Sequence, residues 1–309
     1  IAITHVSNTL GTINPIHELV DLARKFDAKV LVDAAQSAPH FELDVQKIDC
    51  DFLVFSGHKT LAPTGIGVLF VKYELFDEIT PFIGGGDMIK EVTFEKTTYN
   101  EPPFFLEAGT PNISGAIGLA AAINYIKGVG LKNIQHHEDD LLNYDTEGLR
   151  KFNNINIIGQ AGKKASVISF LLDNTHPFDV GTLLDQMGIA IRTGHHCTQP
   201  LMHFYGIPGT ARISLAFYNT KEEIDNFIVF LKEHFIDYYK NLIHNQKDLD
   251  AIILTVPRHE TYKISKELLK NKINLFTEKP IALSKKSALE LVNLAKKNNL
   301  IYTIGHMKR

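Results

Sequence analysis

The stretch VFSGHKTLAPTGIG, residues 54–67, places a lysine directly after a short apolar run and before a second one. The run FLVFS at 52–56 and the run GVLFV at 67–71 both have the length of a strand, and KVLVD at 29–33 is a third such run, ending in a carboxylate. Near-continuous apolar strands separated by helical patterns are typical of a sheet that is buried on both faces. The sequence therefore predicts a layered α/β fold.

Helical patterns and one long loop surround these strands. Asn14-Pro15 opens a predicted helix over about 16–27, because proline presets the first helical turn. Two further helices are predicted over about 113–127 and 131–151. Residues 81–111 are rich in glycine, proline and aromatic side chains, which predicts a long functional loop.

The pattern changes twice in the second half of the chain. A smaller α/β unit follows from about 165, with strands predicted at 166–172, 189–193 and 211–217 and helices at 179–187 and 221–234. A third unit follows with a βαβαβ pattern, its strands at 250–256, 274–278 and 300–304 and its helices at 260–271 and 284–298. We therefore predict three domains, spanning residues 1–160, 161–235 and 236–309.

The composition bounds the class of protein. The chain has 309 residues, 44% of them hydrophobic and 22% charged, which is ordinary for a globular protein. A formal net charge of −3 gives no electrostatic reason to expect nucleic acid or an anionic membrane as a partner. Two cysteines cannot form a disulfide framework, so we expect a cytoplasmic protein.

The position of Lys59 after its strand indicates a ligand site. In parallel α/β sheets ligands bind at the carboxyl ends of strands, where Asp33 and Gln36 also lie, so Lys59 and Asp33 are expected to share one crevice. One interpretation is a structural ion pair. The other is a pyridoxal phosphate site, in which lysine binds the cofactor covalently and the acid keeps its ring nitrogen protonated.

Cys197 lies in the polar stretch RTGHHCTQP, residues 192–200, and three interpretations apply to it. A metal site needs about four ligands in a tetrahedral array, whereas His195, His196 and Cys197 are consecutive and point apart, so we expect no metal. A buried thiol is common for a free cysteine, but this loop is polar. A nucleophile requires a thiolate, which the nearby imidazoles and Arg192 are expected to favour. We expect Cys50, at the start of a strand, to be structural.

Several segments taken together resemble one family. They are HVSNTLGTINPI (5–16), VLVDAAQSAPH (30–40), FSGHKTLAPTGIGVLFV (55–71), LEAGTPNISG (106–115), RTGHHCTQPLM (192–202) and GTARISLAFYNT (209–220). They resemble the class V aminotransferase family, in particular its SufS-type group II cysteine desulfurases, which are related to selenocysteine lyases. The resemblance implies a fold-type I large domain, a small C-terminal α/β domain and a homodimer.

The resemblance assigns cofactor-binding roles. Lys59 matches the lysine that binds pyridoxal 5'-phosphate, Asp33 the partner of its pyridine nitrogen, and Gln36 the donor to its phenolic oxygen. Ser56 and His58 match ligands of the phosphate.

Other matching positions point to the substrate and to a second subunit. Asn8 matches a residue near the cofactor ring and substrate, and Thr110 one that reaches the phosphate of the neighbouring subunit's cofactor, although Thr110 is equally suited to cap a helix. Arg212 matches the clamp for the substrate carboxylate. Arg192 either assists it, orders the cysteine loop or is a solvated side chain, and Cys197 matches the nucleophile that becomes a persulfide.

The implied activity is that of a transferase acting on L-cysteine or L-selenocysteine. L-cysteine would give L-alanine, and the sulfur on Cys197 would pass to an acceptor protein for iron–sulfur cluster assembly. The chain starts inside a strand-like run, IAITHV at 1–6, so we expect a truncated large domain without the upstream phosphate-binding turn and ring-stacking residue. His5 and His40 are interpreted as packing or surface histidines rather than replacements for the latter.

The tail resembles a different family. Residues 236–309, with TEKP at 277–280 and with Pro257 and His259, resemble the later half of a Gfo/Idh/MocA oxidoreductase nucleotide-binding domain, a partial Rossmann-like unit in which Lys279 lies near the nicotinamide. The glycine-rich turn that binds the dinucleotide is absent from this segment, so we expect no NAD binding. An NAD(P)-dependent oxidoreductase fragment and a non-catalytic truncated fusion remain the alternative functions.

Overall fold

The computed structural model describes residues 1–173, 175–236, 249–256 and 258–305, without the side chains of 235, 236, 258 and 259. Pro257 and the side chain of His259 therefore lie outside the described residues. The chain divides into two compact units, Ile1–Lys221 and Glu222–Arg309. The predicted boundaries at 160 and 235 stay predictions.

The first sheet contains the predicted strands in chain order. Its strands are β1 (Ala2–Thr4), β2 (Leu31–Asp33), β3 (Phe52–Ser56) and β4 (Gly67–Val71). β1, β2 and β3 are parallel, whereas β4 pairs antiparallel with β3 at the edge of the sheet. The carboxyl ends of the three parallel strands consequently meet at one edge.

One face of this sheet packs against helix α1 (Ile16–Arg24), and the short helix α2 (Val45–Ile48) follows β2. The fully or nearly fully buried core residues are Ile16, Val20, Ala23, Val30, Val32, Ala34, Ile48, Cys50 and Leu53. The prediction that both faces are buried is wrong for β4, where Leu69 is 52% exposed. Successive side chains of a strand point to opposite faces, so Phe70 of β4 packs against the core whereas Leu69 faces away from it.

The segment 81–111 is more regular than predicted. It contains the antiparallel pair β5 (Ile89–Val92) and β6 (Thr97–Tyr99), followed by a 3-10 helix over Phe104–Leu106. The turn between the two strands is closed by Thr93, whose hydroxyl accepts hydrogen bonds from the backbone N–H groups of residues 95 and 96. The charged residues within β5 hide the alternation that normally indicates a strand.

Helices α3 (Ile113–Val129) and α4 (Leu131–Arg150) confirm the two predicted helices. They are separated by Gly130, whose φ of 89° ends α3. The buried side of α4 includes two acidic residues, Glu138 and Asp145. No single helix among the described residues is long and apolar enough to cross a membrane; α3 and α4, bent by 72°, meet the length and composition criteria only as a pair.

The second sheet is antiparallel. Its order is β7-β8-β10-β9, formed by β7 (Ile155–Ile158), β8 (Val167–Leu172), β9 (Arg192–Gly194) and β10 (Thr210–Ser214).

Two helices accompany this sheet, α5 (Pro177–Gln186) and α6 (Gln199–Tyr205). β7 and α6 are not predicted from the sequence. The cysteine stretch consists of β9, a four-residue turn and the start of α6.

The second unit begins with helix α7 (Lys221–Leu231). Its later part confirms the predicted βαβαβ pattern, with β11 (Ala251–Leu254), α8 (Arg258–Lys270), β12 (Asn274–Glu278), α9 (Lys285–Lys297) and β13 (Tyr302–Gly305). The three strands are parallel in the order β11-β12-β13. They share a small core that includes Leu268, Leu269, Leu275 and Leu291.

Candidate functional site

The loops that follow β1, β2 and β3 each contribute one predicted residue to a single hollow. Asn8 follows β1, Gln36 follows β2 and Lys59 follows β3. Arg212 of β10 lines the same hollow, whose volume is about 220 Å³. The structure therefore brings four of the predicted site residues together.

The turn that presents Lys59 is fixed by close packing around a glycine. Gly57 begins a 3-10 helix that ends at Lys59, and its N–H donates to the carbonyl of Ile66 (2.8 Å). A Cβ atom on Gly57 would lie 2.7 Å from Cγ2 of Ile66, so a larger residue does not fit here. Lys59 itself is exposed, which leaves its amine accessible.

Asp33 and Ser56 border a different hollow from the one lined by Lys59. That hollow is open, with a volume of about 510 Å³. The Asp33 carboxylate is turned into its own loop and accepts a hydrogen bond from the N–H of Ala35 (2.9 Å). Asp33 and Lys59 thus lie at the same edge of the sheet, but the expected shared crevice is not found. A hydrogen bond joins the hydroxyl of Ser56 to Nδ1 of His58 (2.7 Å).

The cysteine loop is held by two residues from the loop after β1. The side-chain amide of Asn8 donates to the carbonyl of His196 (2.6 Å), and the hydroxyls of Thr9 and Thr198 lie 2.8 Å apart. His196 and Cys197 have φ angles of 53° and 63°, which non-glycine residues rarely adopt. These contacts hold an exposed thiol on a strained turn.

Two arginines lie opposite each other beside this thiol. Arg192 and Arg212 are direct partners in the pairing of β9 with β10. Nη2 of Arg192 lies 3.8 Å from Sγ of Cys197. Nη1 of Arg212 donates to the carbonyl of Asn8 (2.7 Å).

Neither arginine of this pair forms a salt bridge with a carboxylate in the part of the chain that the structure describes. Burial and then the charge of Arg192 lower the pKa of the Arg212 guanidinium. Its Nε is buried and has no hydrogen-bond partner among the described residues. Like charges directly opposite each other in a sheet are destabilising. An anion between the two guanidinium groups, such as a carboxylate or a thiolate, would relieve that repulsion.

His196 is buried and uncharged at neutral pH. Its Nε2 lies 3.1 Å from the carbonyl oxygen and 2.9 Å from the hydroxyl of Thr210. Burial, followed by the charges of Arg212 and Arg192, lowers the pKa of His196 to about 4. The prediction that the nearby imidazoles favour the thiolate is therefore wrong for His196. Arg192 remains the cation in contact with the sulfur.

The neutral state of His196 makes stability depend on pH. The unfolded chain takes up a proton at His196 below its ordinary pKa of about 6.5, whereas the folded chain does so only near pH 4. We therefore expect the free energy of unfolding to fall as pH drops from about 6.5 to about 4, by about 3 kcal/mol from this group.

The measurement is urea unfolding at both ends of this pH range. We expect the His196→Gln variant to lose this part of the pH dependence, and the exposed His195→Gln variant to keep it. Equal pH slopes for the wild type and His196→Gln would contradict the assignment.

The remaining predicted residues lie elsewhere. Thr110 is exposed and lines neither of the two hollows. The N-cap of α3 is Asn112, whose side-chain oxygen accepts from the N–H of Gly115 (2.9 Å), so the capping alternative for Thr110 is wrong. Lys279 follows β12 in the second unit and is exposed.

Two histidines behave differently from each other. Burial and then the charge of His17 lower the pKa of His5, which agrees with a packing role. His40 lines the hollow of Lys59, and its Nδ1 lies 2.8 Å from a carboxylate oxygen of Glu138. The sequence does not reveal this pair because the two residues are 98 positions apart. No group of three or more His, Cys, Asp or Glu side chains within the described ranges is arranged to hold a metal ion.

Comparisons with known proteins identify relatives of both parts of the chain. The aminotransferase class-V family matches residues 1–227, and the oxidoreductase family with an NAD-binding Rossmann fold matches residues 204–306. A probable cysteine desulfurase of Xylella fastidiosa (strain 9a5c) is 49% identical over 231 residues, and a cysteine desulfurase of Salmonella agona (strain SL483) is 51% identical over 232. Each alignment covers 75% of this chain and 56% or 57% of the relative, so the chain spans a little over half their length.

Solved structures agree with these relatives. The apo cysteine desulfurase of Thermococcus onnurineus NA1 is similar with a TM-score of 0.73 and 45% identity, covering 75% of this chain and 58% of that one. The cysteine desulfurase CsdA of Escherichia coli, in its S-sulfonic acid form, gives a TM-score of 0.71 and 38% identity, covering 74% and 57%. These likenesses confirm the predicted fold-type I class. With its family match extending over residues 1–227, the chain belongs to the class V aminotransferases.

Proposed function

We propose that this protein is a pyridoxal phosphate-dependent cysteine desulfurase, which converts L-cysteine to L-alanine and retains the sulfur on Cys197. The observation that carries the proposal is the hollow shared by Lys59 and Arg212, to which Asn8 ties the loop of Cys197. The names of the relatives that match residues of this part of the chain support the same activity.

The side chains at the carboxyl edge of the first sheet suit pyridoxal phosphate. Lys59 offers an exposed amine at the hollow, and Gln36, which also lines it, offers a donor. Ser56 and His58 offer a hydroxyl and an imidazole on the same turn. Asp33, at the end of the neighbouring strand, borders the adjacent hollow, where its carboxylate accepts from the N–H of Ala35. When bound, the cofactor supplies an electron sink for negative charge that develops on the substrate.

Residues of the chain itself bind the substrate, remove its proton and accept its sulfur. Arg212, with Arg192 opposite it, binds the substrate carboxylate, since a guanidinium fork suits a planar anion. The amine of Lys59 takes the proton from the α-carbon. The thiolate of Cys197 then attacks the substrate sulfur, so that a sulfur–sulfur bond forms while the carbon–sulfur bond of the substrate breaks. The electron pair of the broken bond remains with the carbon skeleton, which leaves as alanine after protonation.

The partners of this activity are also proposed. The exposed Cys197 is open to a sulfur-acceptor protein that supplies iron–sulfur cluster assembly. Thr110 is exposed and lines neither hollow, which is consistent with a role at the cofactor phosphate of a second subunit in a homodimer. L-selenocysteine is a further candidate substrate, and two unpaired cysteines favour the cytoplasm.

The test of the proposal is the covalent attachment of the cofactor. Pyridoxal phosphate added to the purified chain should give a visible absorbance band, because the aldehyde condenses with the Lys59 amine. Reduction with borohydride followed by peptide mass spectrometry should find the adduct on Lys59. We expect the Lys59→Ala variant to lose the band and Lys47→Ala, which removes an exposed lysine of α2, to retain it. An unchanged band in Lys59→Ala, or an adduct on another lysine, would refute the proposal.

A further inference from the structure

A buried carboxylate and an imidazole form a pair behind the hollow of Lys59. Nδ1 of His40 lies 2.8 Å from Oε2 of Glu138, with side-chain exposures of 20% and 4%. Glu138 lies in the middle of α4, on the side that contains the fully buried Ile134 and Leu141. Its second oxygen, Oε1, is buried and has no hydrogen-bond partner among the described residues. A buried charge without a partner is costly, so His40 is essential to the placement of Glu138.

The pair fixes which nitrogen of His40 carries a proton. An ionised carboxylate can only accept a hydrogen bond, so Nδ1 of His40 is the donor to Glu138. In the neutral imidazole the other nitrogen, Nε2, then has a free lone pair and acts as a base. The same order of carboxylate, imidazole and reacting group occurs in the catalytic triads of hydrolases.

The two members of the pair differ in their access to the hollow. His40 lines it, whereas Glu138 does not. His40 lies in the turn that follows β2, and its backbone N–H donates to the carbonyl of Ser37 (3.0 Å). Gln36 of the same turn also lines the hollow. The carboxylate is therefore placed behind the imidazole, as a base that acts on a ligand in the hollow requires.

The groups that line the hollow indicate which proton this base accepts. Its lining among the described residues includes the cations Lys59 and Arg212 and the phenol Tyr218, but no carboxylate. An amino acid substrate arrives with a protonated amine, which must lose a proton before its nitrogen can react as a nucleophile. His40 is the imidazole on the lining, and its Nε2 is placed to accept that proton.

We propose that His40, supported by Glu138, is an acid–base residue of this site. On the basis of the proposed function, a proton moves from the ammonium nitrogen of bound L-cysteine to Nε2 of His40. Glu138 stabilises the resulting imidazolium through the Nδ1–H bond. The same proton returns to the amine of alanine as the product leaves, so that His40 ends the cycle neutral.

The first test measures the protonation state of His40 directly and requires no turnover. Nitrogen NMR of the chain labelled with 15N-histidine should show His40 protonated on Nδ1 and bare on Nε2 near neutral pH, with the signal assigned by its absence from His40→Gln. Glu138→Gln should abolish this tautomer preference, and the exposed His136 serves as the internal control. In the chain loaded with pyridoxal phosphate, addition of L-alanine, which has no sulfur to lose but whose amine must release its proton to react, should protonate Nε2 of His40.

The second test distinguishes acid–base catalysis by His40 from a purely structural role of the His40–Glu138 pair. In the chain loaded with pyridoxal phosphate, His40→Ala should lower kcat for alanine formation about 100-fold with KM changed less than about threefold. Free imidazole should restore part of that rate, because it can occupy the space left by the side chain. The matched variant His136→Ala should behave as the wild type.

Specific results would overturn the proposal. An Nε2-protonated tautomer, a kcat of His40→Ala within about threefold of the wild type, or a loss that imidazole does not restore would each assign the pair a structural role only. If the wild type forms no alanine, the proposed function has failed. In that case the L-alanine titration still decides whether His40 is a base, since protonation supports it and an unchanged Nε2 refutes it.

Discussion

The Cys197→Ala variant is expected to bind pyridoxal phosphate as the wild type does and to lose at least about 1000-fold in the rate of alanine formation from L-cysteine. The physical reason is that no other group described near the proposed site can accept the sulfur. His196 is buried and neutral, and Arg192 can stabilise a thiolate at 3.8 Å but cannot replace it. The measurement is alanine release, together with mass spectrometry of the persulfide.

Cys50 provides the matched control for this prediction. It is fully buried in the first core, and burial raises the pKa of its thiol, so it does not supply a reactive thiolate. Cys50→Ala should therefore retain activity while losing about 1 kcal/mol of stability from the truncated side chain. Persulfide found on Cys50, or alanine formation by Cys197→Ala at the wild-type rate, would remove Cys197 from the mechanism.

The second large effect is expected at Asp145, on the buried side of α4. Both of its carboxylate oxygens are buried and have no hydrogen-bond partner among the described residues. Burial raises the pKa of this carboxyl from its ordinary value to about 7. The folded chain therefore holds a proton on Asp145 that the unfolded chain has already lost above about pH 4.

The sign of the resulting pH dependence follows from linkage. The protonated acid favours the folded state at low pH, and this contribution is lost as pH rises from about 4 to about 7. It amounts to about 4 kcal/mol, since each pKa unit corresponds to about 1.4 kcal/mol. Asp145→Asn cannot ionise, so its unfolding free energy relative to the wild type should be about 4 kcal/mol more favourable at pH 8 than at pH 4.

Denaturant unfolding of both proteins at the two pH values measures this difference. Asp140→Asn, which changes an exposed acid on the same helix, is the control and should follow the wild type at both values. The buried amide that Asp145→Asn introduces lowers stability equally at both pH values, and so cancels in the comparison. A constant difference between Asp145→Asn and the wild type would show that Asp145 is ionised in the folded chain.

Apolar runs predicted most of the fold, because a buried strand needs an uninterrupted apolar segment of about five residues. The strands at 29–33, 52–56 and 67–71 and the βαβαβ pattern of the tail are present. β5 and β6 were missed because charged and polar residues interrupt them, and α6 because its seven residues are too few for a helical period to be visible.

The site was predictable where it depended on local sequence. Lys59, Gln36 and Asn8 each follow a strand whose end the sequence reveals, and they reach one hollow. Contacts over long separations were not predictable from single motifs. Asn8 and the His196 carbonyl are 188 positions apart, and whether two such loops touch depends on the packing of the two sheets.

The backbone at His196 and Cys197 has a consequence for protein engineering. Glycine would adopt these φ angles without strain, and yet the chain has two residues with side chains there. The substitution His196→Gly would remove the backbone strain at this position. It would also remove the imidazole whose contacts with Thr210 hold the turn in place. The sulfur would then sample many positions, and its collisions with a donor molecule would become rarer although its intrinsic reactivity had not changed.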